Sequence, residues 1–108
     1  MLIFHYTDLP GFNAITAAPD WVFRASQPRG NHPFGAYFTT YGPDRPLYKI
    51  GIPLEKRTHL FCFNDADDLK PIRGGRGRYI LFSVSDYHVP KVRQVFSGLA
   101  NDYSERSS

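Results

Sequence analysis

A histidine stands fifth in the chain, in LIFHYTD, inside a run of Leu2, Ile3 and Phe4 that otherwise reads as a buried strand. An imidazole in a half-buried sheet must find a polar partner, because an unpaired polar group out of water costs free energy. Valine would have stood there without that requirement, so His5 serves either a structural hydrogen bond or a ligand. FGAYFTT repeats the theme with Tyr37, an aromatic with a polar tip set within a second apolar run. Arg24 and Ser26 close the run WVFRAS, where they either meet phosphate or amide groups in a cleft or simply expose a polar strand end. The formal net charge of +3 suits an anionic ligand such as a dinucleotide and allows weak nucleic-acid binding, but no dense basic stripe marks a dedicated DNA binder. A single cysteine, Cys62, excludes a disulfide framework and a thiolate zinc site, and reads as an inert buried thiol. His59 and His88 have no partner pattern for a metal.

The elements that must hold these groups follow from periodicity and breakers. With 108 residues, 42% of them hydrophobic, one domain with one core is expected. Nine Phe and seven Tyr favour pleated, half-buried surfaces, hence a β-rich domain. Residues 2–7 form a first strand; Asp8 caps a helix over about 9–18, with Leu9, Phe12 and Ile15 at helical spacing and Pro10 in the first turn. Strands follow at 21–26, 36–40, 47–53, 59–64 and 79–84. QPRGNHPFG is a loop, DADDLKP a loop or a single helical turn, and IRGGRGR a glycine-rich turn. DYHVPKVRQVF is one further strand, interrupted at Pro90. The expected class is therefore a β-dominated α+β fold of six or seven short strands with one early helix. It forms a single domain over 1–98, with a polar, frayed tail over 99–108. Residues 1–7 lack a basic region followed by a long apolar run, and no stretch approaches the ~20 apolar residues of a membrane span, so neither a signal peptide nor membrane partners are expected.

His5 in FHYT, Tyr37 in GAYFTT and a late acidic residue resemble the diphtheria-toxin-like superfamily of ADP-ribosyltransferases, most closely the small toxin group with a His-Tyr-Asp signature. The resemblance covers about residues 2–96. It implies a compact split antiparallel β-sheet core and a glycosyltransferase reaction in which NAD is the substrate and no metal takes part. His5 would hydrogen-bond a ribose hydroxyl of the adenosine half, the backbone of Tyr6 would meet the nicotinamide amide, and Tyr37 would stack on the nicotinamide ring. A late carboxylate would grip the nicotinamide ribose and favour the developing cation. Asp86 in VSDYHV fits that place; Asp65, Asp67 and Asp68 are further candidates, and an alternative alignment sets Arg78 there. Arg24 and Ser26 join the NAD-binding set, and Arg29, Asn31 and His32 lie on the loop that flanks the cleft in relatives.

By the same resemblance the expected function is a mono-ADP-ribosyltransferase toxin or effector. It would modify a macromolecular acceptor, protein or nucleic acid, in the cytoplasm of the producing or target cell. Delivery by a secretion system and a cognate immunity or inhibitor protein belong to that expectation. An NAD glycohydrolase, with water as acceptor, would use the same cleft. A noncatalytic β-domain binding RNA would need its strand aromatics exposed on one face.

Overall fold

The computed structural model describes residues 1–27, 33–43, 52–73 and 79–103. Among them, eight strands and one α-helix make up a β-dominated α+β fold: β1 Leu2–Thr7, α1 Leu9–Ile15, β2 Trp21–Phe23, β3 Ala36–Thr39, β4 His59–Asn64, β5 Lys70–Arg73, β6 Tyr79–Ser83, β7 Tyr87–Val89 and β8 Gln94–Leu99. Six strands form one antiparallel sheet in the order β5-β6-β3-β1-β4-β8, and β2 and β7 form a separate two-stranded ribbon.

β1 sits in the middle of the large sheet. It pairs with β4 along its whole length, from Leu2 against Asn64 to Thr7 against His59. With β3 it pairs, among the described residues, at Phe4 against Thr39. Side chains alternate along a strand, so Ile3 and His5 point to one face while Phe4 and Tyr6 point to the other. Ile3 joins Phe38, Phe61, Phe63 and Leu81 beneath the ribbon residues Trp21, Phe23, Tyr87 and Val89 and the helix residue Ile15. Phe4 and Tyr6 pack with Leu60 and Cys62 under Tyr41, Ile52, Phe96, Ala100 and Tyr103. Because both faces are covered, Leu60, Phe61, Cys62 and Phe63 are buried in succession, which is why β4 carries a continuous apolar run instead of an alternating one.

Several boundaries differ from those expected. Helix α1 ends at Ile15, and the ladder of β2 ends at Phe23, although Ser26 forms an isolated bridge to Gly35. Residues 70–73, expected as loop and turn, form β5. Its Pro71 is tolerated because β5 lies at the sheet edge, where one side of the strand needs no donors. The segment around Pro90 is two strands in two different sheets: β7 stops before Pro90, a 3-10 turn spans Lys91–Arg93, and β8 pairs with β4. Packing continues past residue 98, since Tyr103 sets its ring against Phe4 at 5.5 Å and Phe96 at 5.3 Å. The strand expected over 47–53 falls mostly outside the described residues.

One glycine fixes how the ribbon joins the sheet. Gly35 exchanges two backbone hydrogen bonds with Ser26, at 2.9 and 3.0 Å, and a Cβ there would lie 2.5 Å from the carbonyl oxygen of Ser83. Backbone cannot yield as a side chain can. Gly35→Ala is therefore expected to cost roughly 1–3 kcal/mol through overpacking, read as a lowered melting temperature in thermal unfolding.

Candidate active site

The His5 ring lies on the ribbon-covered face, with centroids 4.8 Å from Phe23 and 5.6 Å from Phe38. Its Nδ1 is 2.9 Å from the carbonyl oxygen of Tyr37. A carbonyl only accepts, so Nδ1 carries the proton and donates, and Nε2 keeps a lone pair. The imidazole thus bridges β1 to β3 just past their backbone pairing. Burial pushes the His5 pKa below its ordinary value of 6.5, opposed in part by the hydrogen bond to Tyr37. At neutral pH the ring is accordingly uncharged, with Nε2 an acceptor suited to a hydroxyl donor.

This lowered pKa has a signed consequence. Below 6.5 the unfolded chain takes up a proton that the folded chain refuses, so stability falls as pH drops from that value toward the folded pKa. Thermal unfolding across about pH 7 to 5 should show the melting temperature declining, and His5→Phe should remove that part of the decline. Asp8, whose carboxylate accepts from Gly11 N–H at 3.0 Å and Lys56 Nζ at 2.9 Å, has its pKa lowered from 3.8. Its contribution is present above that value and is lost at lower pH.

Beside His5 opens a cavity of about 430 Å³, within the size range of small-molecule sites. One wall is made of small residues on and after α1: Gly11, Ala14, Ala17 and Ala18. The lining also includes Val22, Phe23, Arg24 and Ser26 along and beyond β2. The helix comes close because Gly11 lacks a side chain, a Cβ there falling 2.0 Å from Thr7 Oγ1. Asp8 caps α1 and Thr16 closes it, the Thr16 hydroxyl donating to the Phe12 carbonyl at 2.8 Å.

Asp86 stands where the ribbon's two strands part. Its Oδ1 accepts from the Ala25 N–H at 2.8 Å, and its Oδ2 lies 3.6 Å from the Arg24 guanidinium. That pair is open to water, the Arg24 side chain being 83% exposed, so it holds Arg24 only weakly and leaves it able to meet an anion. His5, Arg24 and Ser26 therefore share one cavity, with Asp86 tied to Arg24 and to the residue between Arg24 and Ser26.

Tyr37 joins this arrangement through its backbone. Ala36 and Phe38 point into the ribbon-covered core, so the Tyr37 ring, of opposite parity, lies on the other face. There it stacks on Phe82 at 5.8 Å, and its hydroxyl donates to the Pro33 carbonyl. The Tyr6 ring is on that face too, with its hydroxyl donating to the Tyr41 carbonyl at 2.9 Å. Asp65 accepts from the Asp67 N–H, and Asp68 from the Tyr87 hydroxyl; none of Asp65, Asp67, Asp68 and Asp86 lines the cavity, and Asp86 alone of them is paired with a lining residue, Arg24. His59 packs on Phe12 and exchanges a hydrogen bond with Thr58, and His88 is exposed opposite Val22. Arg29, Asn31, His32 and Arg78 lie outside the described residues. Among the described residues no group of three His, Cys, Asp or Glu is placed to hold a metal.

The small-residue wall is the part of the site that sequence reasoning misses; its one signal is the recurrence of glycine and alanine through residues 11–18. Comparisons with protein-family models, with curated proteins and with solved structures return no match for this chain.

Proposed function

We propose that the cavity beside His5 takes the adenosine half of NAD and that the protein is a mono-ADP-ribosyltransferase of the toxin or effector kind. The observation that carries this is the gathering of His5, on β1, with Arg24 and Ser26, on the segment that follows β2, around one cavity, with Asp86 accepting from the Ala25 N–H and weakly paired with Arg24. The neutral His5 Nε2 accepts a hydrogen bond from a ribose hydroxyl. The apolar walls between Ala14, Ala17 and Phe23 accommodate a flat base, and the Arg24 guanidinium neutralises phosphate. At the reacting end the bond between ribose and nicotinamide breaks, its electron pair passing to the nicotinamide nitrogen. The Asp86 carboxylate supports the positive charge left on the ribose as the acceptor attacks. In this assignment Tyr37 acts through its carbonyl, which fixes the His5 tautomer; a stacking role for its ring would require it to reach the cavity from the opposite face of the sheet.

The test is incubation of the purified protein with labelled NAD in a cell lysate, followed by separation of protein, nucleic acid and free ADP-ribose. Label on a macromolecule is the expected result. Label found solely as free ADP-ribose would replace transfer by hydrolysis, and intact NAD would remove both.

A further inference from the structure

The residues assigned to the reaction sit on two separate sheets: His5 on the six-stranded sheet, Arg24 and Asp86 on the β2–β7 ribbon and its continuation. The distance between these halves is set by whatever ties ribbon to sheet. One tie is the Ser26–Gly35 bridge. A second is polar and begins at the residue next to Asp86. The Tyr87 ring is buried against Phe38 at 5.3 Å, while its hydroxyl donates to Asp68 Oδ1 at 2.6 Å and accepts from Arg93 at 2.7 Å. Arg93 in turn donates through Nε to the Asn64 carbonyl at 3.0 Å, at the end of β4, and lies over the Phe63 ring at 5.7 Å. Short, charge-assisted bonds of this kind hold direction as well as distance. Hydrophobic attraction is non-directional, so these directional bonds add a fixed register between ribbon and sheet, and small displacements at a reacting centre are costly.

We infer that the Asp68–Tyr87–Arg93 clasp is a positioning device that holds Asp86 at its working distance from the His5 cavity. Tyr87 is a positioning residue, since its hydroxyl is engaged by both Asp68 and Arg93 and its action on NAD passes through the adjacent carboxylate. This inference rests on the NAD-cleaving function proposed above.

The experiment is a double-mutant cycle on nicotinamide release, with Tyr87→Phe, Asp86→Asn and the double variant assayed for kcat and KM separately. Tyr87→Phe keeps the ring in the core and deletes the clasp. Its expected effect is a fall in kcat of about tenfold or more with KM for NAD little changed. In the Asp86→Asn background the same change should have no further effect, because a residue that acts through Asp86 has nothing left to position. Asp68→Ala, at an exposed site that does not threaten folding, should lower kcat in the same direction, and Asp68→Asn, which keeps an acceptor oxygen, should restore it. Undiminished kcat in both Tyr87→Phe and Asp68→Ala would overturn the inference while leaving NAD cleavage standing. So would a Tyr87→Phe effect of equal size with and without Asp86, which marks a merely structural role. A wild-type protein that releases no nicotinamide would overturn the function and, with it, the clasp's role.

Discussion

Asp86→Asn should reduce the rate of nicotinamide release on the order of 100–1,000-fold while changing NAD affinity little. Its carboxylate is assigned to the positive charge that develops on the ribose, and an interaction made chiefly in the transition state appears in kcat and hardly in binding. The substitution suits the purpose structurally, because the Asn side-chain oxygen can still accept from the Ala25 N–H, which lies 2.8 Å from the Asp86 carboxylate. The Arg24 pair that is lost is solvent-exposed and contributes little to stability. Steady-state release assays, with NAD affinity measured separately, check this. Arg78→Ala belongs in the same experiment and should leave the rate unchanged. An inactive Arg78→Ala beside an active Asp86→Asn would assign the late group to a cation that meets phosphate.

Phe61→Ala should produce the largest loss of stability. The ring is fully buried at the centre of the ribbon-covered core, with centroids 4.9 Å from Trp21, 5.3 Å from Phe12 and 5.4 Å from Phe23. It therefore joins sheet, helix and ribbon at a single point. Truncating such an aromatic costs about 3–5 kcal/mol, a large share of the ~5–15 kcal/mol that holds a domain of this kind. Denaturant unfolding should show the midpoint falling by a corresponding amount. A loss under ~1 kcal/mol would mean that helix and ribbon do not close on the sheet as described. His5→Phe offers a contrast, since it fills the same space among Phe23, Phe38 and Phe61 but leaves the Tyr37 carbonyl without its donor. It should weaken NAD binding in a protein that still unfolds cooperatively.

The elements legible in the sequence are those whose signal is local. β1, β4 and β6 are dense apolar runs, and Asp8 followed by Pro10 marks the start of α1 by capping chemistry that involves only neighbouring residues. β5 escapes such reading because Lys70-Pro71-Ile72-Arg73 has little strand character of its own and is defined by its pairing with β6. The break at Pro90 is visible, but not that the two sides belong to different sheets, which is a fact of tertiary packing. At the site, His5 stands out as a polar group in an apolar run, and Arg24, Ser26 and Asp86 as polar residues at strand ends. Tyr37 and Phe38 are adjacent aromatics, and composition does not say which of them faces the ribbon. The clasp joins Asp68 to Tyr87 and Tyr87 to Arg93 across turns and strands, so no short window of sequence contains it.

Whether NAD occupies the cavity beside His5 is decided by titrating the wild-type protein with NAD and following the imidazole resonances of its histidines by NMR. His5 alone among His5, His59 and His88 lines the cavity. Its ring signals should shift and saturate as the ribose hydroxyl meets Nε2, while those of His59 and His88 stay in place. Unmoved His5 signals at saturating NAD, in a protein shown to be folded, would contradict the assignment of this cavity to NAD.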